Sequence, residues 1–184
     1  MRTSAQSAGA LVAMVVLAAL VIASAAAVAR GSLTGCAQGQ PKSVGGVPVL
    51  VFCGPARATV RLIGGSYAGT RTVAFKNGAC ASHGDDLYVF IGAVPKAALS
   101  SDGLDAPPRN GADYFVLRTT YKPGSHKFGN NVYFGHEKGA WYLTALSTRV
   151  TVKTGARSGV FAGRLLTSDA DRVTGSFTCL RSSG

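Results

Sequence analysis

Short segments in which apolar and polar residues alternate run through the chain beyond residue 56. In one of them Ala58, Val60 and Leu62 fall on one side, and arginine and threonine residues fall on the other. An alternation with a period of two is typical of a β-strand with one buried face. Such segments, separated by Gly, Asn and Pro turn signals, predict about nine to ten short strands. The predicted fold class is therefore all-β, an antiparallel β-sandwich or barrel-like domain preceded by one N-terminal hydrophobic helix.

Three features refine this pattern. Leu87–Ile91 is apolar on both faces, which predicts a central strand. Asn77-Gly78 is a turn signal. From Pro95 to Ala112 the alternation stops, which predicts a long connection with one helical turn near Lys96–Leu99.

The N-terminal hydrophobic segment from Ala8 to Ala29 carries no charge and is long enough to span a bilayer as a helix. Three outcomes stay open for it. Signal peptidase cleavage after Ala29 would release the domain. Leu33-Thr34-Gly35-Cys36 resembles the lipobox of bacterial lipoproteins, which implies cleavage before Cys36 and a lipid on its sulfur. The third outcome is an uncleaved signal anchor.

These outcomes share one domain organisation. Residues 1–35 are predicted to be a signal sequence or membrane anchor, and 36–46 a flexible linker rich in Gln, Gly and Pro. Residues 47–184 are predicted to form the β domain. The expected location is the cell membrane, with the domain on the extracytoplasmic side or secreted.

The formal net charge of the chain is +11, and the segment before residue 36 contains no acidic residue. Basic residues are spread along the predicted strands and loops, so a solvated surface is the simplest interpretation. The functional interpretation is attraction to anionic lipid or to a cell-wall polymer. Nucleic acid is not expected as a partner, because the chain is exported and lacks a nucleic-acid-binding motif.

The cysteines are Cys36, Cys53, Cys80 and Cys179, and none forms a CxxC pair. Disulfides are the expected state of cysteines in an exported protein. We favour a Cys80–Cys179 bridge, which would tie the last strand to an early one. Cys36 and Cys53 then pair if Cys36 keeps its thiol, whereas lipidation of Cys36 would leave one cysteine unpaired.

Glycine, aromatic and cysteine signatures recur in order along the chain. They are Phe52-Cys53-Gly54-Pro55-Ala56, Asn77-Gly78-Ala79-Cys80, Ser158-Gly159-Val160-Phe161-Ala162-Gly163 and Val173-Thr174-Gly175-Ser176-Phe177-Thr178-Cys179. This order resembles small actinobacterial surface proteins that include relatives loosely similar to the mycobacterial lipoprotein antigen. The resemblance implies a surface-tethered β domain and carries over no catalytic residue.

Candidate chemistry is sparse. His83, His126 and His136 have no metal-ligand spacing, and no GxSxG elbow or phosphate-binding glycine loop occurs. We therefore expect no catalytic, metal or cofactor site. An aromatic group on one predicted hairpin is the main candidate for a ligand-facing surface, because the members cannot all face the core. It consists of Tyr133, Phe134, Trp141 and Tyr142.

The sequence thus predicts a membrane-anchored structural or interaction module of the cell surface or envelope, and not an enzyme. A carrier of a small apolar or lipid ligand is the alternative, which requires an apolar pocket of several hundred Å3. A hydrolase is a weaker alternative, which requires His, Ser and Asp in one cleft.

Overall fold

The computed structural model describes residues 35–65, 67–99, 111–137, 139–143, 147–166 and 172–180, which form twelve β-strands and two short 3-10 helices. The strands are β1 Gln40–Val44, β2 Val47–Val51, β3 Ala56–Gly64, β4 Tyr67–His83, β5 Asp86–Pro95, β6 Tyr114–Thr120, β7 Gly124–His126, β8 Asn131–His136, β9 Gly139–Tyr142, β10 Arg149–Val152, β11 Ser158–Arg164 and β12 Arg172–Thr178. The 3-10 helices are Gly35–Gln38 and Lys96–Leu99, and the second lies where the helical turn was predicted. The all-β prediction is confirmed.

Ten strands form one open antiparallel sheet in the order β7–β10–β11–β12–β3–β4–β5–β6–β8–β9. The remaining two, β1 and β2, form a hairpin that joins the sheet where β2 pairs with the end of β5. The strand predicted at Leu87–Ile91 is β5, which lies inside the sheet between β4 and β6.

The turn predicted at Asn77-Gly78 is absent, because the chain passes through these residues inside the long strand β4. Asn77 has φ of 65°, and the pairing register with β3 shifts between Ala56 and Ala58. This arrangement is a β-bulge, which uses the same left-handed backbone as a tight turn. A side chain at Gly78 would collide with the carbonyl oxygen of Phe90 on β5, so the position requires glycine.

The sheet folds over so that its two halves face each other. Phe115 on β6 and Phe161 on β11 have ring centroids 5.6 Å apart, although four strands lie between them in the sheet order. Neighbouring strands lie about 4.8 Å apart, so a flat sheet would separate these strands by more than 20 Å. The inward residues of both halves therefore form one core, whose fully buried members include Phe134, Phe177 and Leu62.

A second, smaller apolar cluster covers the opposite face of β5, β6 and β8. Tyr114, Val116 and Tyr133 supply its floor, and Phe52 beside β2 lies over it, stacked on Phe90 at 4.8 Å. This packing explains why β5 is apolar on both faces.

Both predicted disulfides are present. Cys80–Cys179 joins β4 to the residue after β12, and Cys36–Cys53 joins the first 3-10 helix to the second residue after β2, with Cα–Cα distances of 5.7 and 5.4 Å. The segment 36–46, predicted to be a flexible linker, instead contains β1, which pairs with β2 across the Gly45-Gly46 turn.

A buried asparagine connects the paired strands β6 and β8 to the paired strands β7 and β10. The Asn130 amide nitrogen donates to the carbonyl oxygens of His126 at 2.7 Å and Thr148 at 3.3 Å, and the Asn130 amide oxygen accepts from the Thr119 hydroxyl at 2.7 Å. Asn130 is 1 % exposed, so these bonds satisfy polar groups that water cannot reach. They fix the ends of β6, β7 and β8 next to the start of β10.

The predicted N-terminal hydrophobic helix lies outside the described residues. Within the described part of the chain, no helix combines the length and the apolar character that crossing a membrane requires.

Candidate functional site

The outer surface of β10, β11, β12 and β3 is lined by small and basic side chains. It is outer because alternate residues on these strands, such as Val60 and Val173, point into the core. The strand register then aligns outward residues in rows across the sheet. One row consists of Arg149, Ala162, Thr174 and Arg61. We call this surface the arginine face.

Two arginines of this face lie directly opposite each other. Arg164 on β11 pairs in register with Arg172 on β12, and both are exposed. Like charges at opposed positions of neighbouring strands destabilise a sheet by roughly 0.2–1 kcal/mol. The arrangement therefore works against the stability of the fold.

The arginines surround a groove with a volume of about 600 Å3. Arg149, Arg164 and Arg172 line it together with the uncharged residues Ile63, Ser147, Ala162 and Gly163. A second, shallower groove of about 440 Å3 continues from it past Arg61, and both grooves share Arg149 and Ala162. An elongated ligand could follow this continuous track across the sheet.

No acidic residue lines either groove in the described part of the chain. Asp169 and Asp171, in the loop between β11 and β12, lie outside the described residues. The described arginine face thus presents several guanidinium groups together without an intervening carboxylate.

The described acidic residues are instead paired with other partners. Glu137 contacts Arg71 at 2.7 Å, Asp113 contacts His136 at 2.9 Å, Asp86 contacts Arg118 at 2.8 Å and Asp85 contacts Lys122 at 3.7 Å. All four carboxylates belong to the strands and turns from β4 to β9, away from the arginine face in the sheet order.

A second candidate lies on the outer side of β5, β6 and β8. It is a cleft of about 90 Å3 whose lining includes Tyr88, Phe90, Tyr133, Arg118 and Leu99.

The positive charge of Arg118 in this cleft is neutralised by a neighbouring carboxylate. The Arg118 guanidinium donates to one oxygen of Asp86 through Nε at 3.0 Å and Nη2 at 2.8 Å, which raises the pKa of Arg118. Burial raises the pKa of the Tyr88 hydroxyl, which donates to the same oxygen at 3.2 Å. Because Arg118 already has a carboxylate partner, this cleft attracts an anion less than the arginine face does.

The aromatic group predicted to face a ligand is split by the structure. Phe134 is fully buried in the main core, and Tyr133 lies on the opposite side of β8, where it lines the cleft. The register places Trp141 opposite Phe134 and Tyr142 opposite Tyr133, and the side chains of these two β9 residues lie outside the described part.

The three histidines lie at the ends of three different strands, His83 at the end of β4, His126 at the end of β7 and His136 at the end of β8. His126 donates through Nε2 to the Lys122 carbonyl oxygen at 2.7 Å, and His136 has Nδ1 at 2.9 Å from Asp113 and Nε2 at 3.6 Å from Glu137. Both nitrogens of the His136 ring thus face carboxylates. Among the described residues no group of three His, Cys, Asp or Glu side chains could hold a metal ion.

Cys36 has two competing predicted roles. Its sulfur is bonded to that of Cys53, and a sulfur in a disulfide cannot also carry a thioether-linked lipid. Lipidation and this bridge therefore exclude each other.

Sequence reasoning did not identify the arginine face. The arginines occur at alternating positions of separate segments, a visible signal, but only the strand order brings residues 61, 149, 164 and 172 together.

No protein-family model, curated protein or solved structure matches the chain.

Proposed function

We propose that this protein is a non-catalytic binding module of the cell envelope that holds anionic groups on its arginine face. The observation that carries the proposal is the groove lined by Arg149, Arg164 and Arg172, which contains no described carboxylate.

The chemistry of arginine favours phosphate as the anion. A guanidinium group presents several N–H donors in a plane, which matches two oxygens of a phosphate or carboxylate. An anion between Arg164 and Arg172 would also relieve the repulsion between these opposed charges. Phosphate-bearing lipids and cell-wall polymers share this chemistry.

Export supports an envelope location. Two disulfides are typical of proteins that fold in an oxidising compartment. The apolar segment from Ala8 to Ala29 supports a membrane anchor. In this proposal the anchor keeps the arginine face near the envelope.

The protein could be anchored by the apolar segment or by a lipid on Cys36. The intact mass of the protein purified from membranes, measured with and without thiol alkylation, distinguishes the two. A full-length mass without alkylation supports the anchor and both disulfides. A mass that begins at Cys36 plus a lipid contradicts the Cys36–Cys53 bridge.

Binding to inorganic polyphosphate tests the proposal. We compare the full chain with a variant that carries Arg149→Gln, Arg164→Gln and Arg172→Gln. The variant should bind roughly tenfold more weakly or worse at low salt, because three charged contacts are lost. Raising the salt concentration should weaken the wild-type protein more steeply than the variant.

A charge-matched control separates the groove from the net charge. Lys42→Gln, Lys76→Gln and Arg157→Gln also remove three exposed positive charges, but none of them lines either groove. Equal loss of binding in the two variants would contradict a defined site, and undiminished binding in the groove variant would contradict the proposal.

The carrier alternative has weaker support. The described cleft between β5, β6 and β8 has a volume of about 90 Å3, whereas small-molecule pockets usually have about 300–1,000 Å3. The larger grooves lie on the surface and are lined in part by arginines.

A further inference from the structure

Two exposed apolar side chains lie at the same end of the sheet as the arginine groove. Phe128 is 79 % exposed and Leu166 is 50 % exposed. Because His126 pairs with Val150 in antiparallel register, the residues after β7 run beside the start of β10. Continuing this register puts Lys127 opposite Arg149, so Phe128, the next residue, lies at the end of the sheet where β10 begins.

Leu166 lies at this end of the sheet as well. It follows Arg164, whose backbone nitrogen donates to the Ser147 hydroxyl oxygen at 2.9 Å, just before β10 begins. Arg172 starts β12 opposite Arg164. One end of the sheet thus combines Phe128 and Leu166 with the three arginines of the groove.

The loop that presents Phe128 is held on both sides. Before Phe128, the His126 ring donates to the Lys122 carbonyl oxygen at 2.7 Å, and after it the buried Asn130 amide donates to the His126 carbonyl oxygen at 2.7 Å. The Phe128 ring is therefore exposed to water on a constrained loop, although the folded sheet encloses an apolar core. Its exposed neighbour Lys127 adds another positive charge.

We propose that this end of the sheet docks on an anionic lipid bilayer, with Phe128 and Leu166 inserted among the acyl chains and Arg149, Arg164 and Arg172 at the phosphate groups. This inference rests on the proposed anion-binding function and names the bilayer as the anionic partner.

The apolar residues distinguish a bilayer from a soluble polymer. A phosphate polymer can bind the arginines, but it offers no apolar medium for a protruding phenylalanine. A bilayer offers both, because its headgroups attract basic residues and the region below them accepts apolar side chains. Aromatic and aliphatic residues beside a basic cluster are therefore complementary to an anionic membrane surface.

The test uses the full chain in nanodiscs that contain phosphatidylcholine alone or with phosphatidylglycerol, each with brominated acyl chains that quench tryptophan. Trp141 is the single native tryptophan, so the wild-type protein supplies the baseline. Phe128→Trp places a reporter at the proposed contact. Leu180→Trp is the control, because Leu180 is 59 % exposed and follows β12 at the opposite end of the sheet.

We expect Phe128→Trp to gain quenching over the baseline in the anionic nanodiscs and less in the neutral ones. Leu180→Trp should gain none. Adding Arg149→Gln, Arg164→Gln and Arg172→Gln should abolish the anionic gain, because each basic residue near an anionic surface strengthens association about fivefold.

Failure of this inference is distinguishable from failure of the proposed function. If polyphosphate still binds through the groove but Phe128→Trp gains no quenching, the bilayer inference is wrong and a soluble polymer becomes the partner. Equal quenching at positions 128 and 180, or in neutral and anionic nanodiscs, also overturns it. If polyphosphate fails to bind as well, both proposals are wrong.

Discussion

The hydroxyl group of Tyr114 offers a direct test of the fold, because it is buried without a described partner. Tyr114 is 0 % exposed, and its hydroxyl oxygen forms no hydrogen bond with any residue that the structure describes. Its ring lies over Gly135, where an added side chain would collide with it. A buried hydroxyl without a partner costs roughly 1–3 kcal/mol.

Tyr114→Phe keeps the ring and removes this hydroxyl, so we expect the variant to be more stable than the wild type by about 1–2 kcal/mol at neutral pH. For a domain of this size that gain corresponds to a rise of about 2–8 °C in Tm. Urea and thermal unfolding with the disulfides intact, followed by circular dichroism, measure both quantities.

The pH dependence provides a second readout. Burial raises the pKa of Tyr114 above its ordinary value of 10.0. Above pH 10 the unfolded chain therefore loses this proton while the folded protein keeps it, and the free energy of unfolding falls as the pH rises. Tyr114→Phe lacks this loss, so its advantage over the wild type should grow by up to about 1.4 kcal/mol per pH unit above pH 10.

Tyr88→Phe is the matched control, because the Tyr88 hydroxyl donates to Asp86 at 3.2 Å. Removing a hydroxyl that has a partner should leave stability unchanged or lower it slightly. If Tyr114→Phe is no more stable than the wild type and shows the same decline above pH 10, the hydroxyl has a partner and the reasoning is refuted.

Three further substitutions test other parts of the structure. Asn130→Leu should lower the free energy of unfolding by about 3 kcal/mol in urea, because the Thr119 hydroxyl and the carbonyl groups of His126 and Thr148 lose the bonds that the Asn130 side chain makes to them; an unchanged midpoint would contradict this role. Gly78→Ala should cost about 2 kcal/mol or more by the same assay, because its methyl group collides with the backbone of β5, and a neutral result would argue for a turn instead of the bulge. Arg172→Gln should raise stability by a few tenths of a kcal/mol through removal of a like charge opposite Arg164, while weakening polyphosphate binding; a loss of stability would show that Arg172 has a carboxylate partner.

The sequence was sufficient to predict the strands whose inward-facing residues are apolar. In β3 the alternation of Ala58, Val60 and Leu62 matches their burial, because one face of the strand meets the core and the other meets water. The segment 36–46 lacked this signal because β1 is exposed along almost its whole length. Its Gly45-Gly46 pair belongs to a hairpin turn, although glycine pairs also occur in linkers.

Asn77-Gly78 shows a different limit. A tight turn and a β-bulge both need a left-handed backbone, so both favour the same residues. Contacts with Phe90 on β5 decide between the two, and these contacts do not appear in local sequence. The arginine face could not be predicted for a related reason. Its arginines belong to strands that are distant in sequence and become neighbours only through the sheet order.

The distribution of charge favours a functional origin for the arginine face. A basic chain could spread its surplus charge evenly, which would minimise repulsion. Here the described carboxylates pair with residues from β4 to β9, while Arg164 and Arg172 stand opposite each other on strands that have no described acid. Both line the same groove as Arg149, and the other side chains that line it, such as Ala162 and Ile63, carry no charge. Since the fold gains no stability from concentrated like charge, an anionic ligand accounts for the arrangement better than solvation of the surface does.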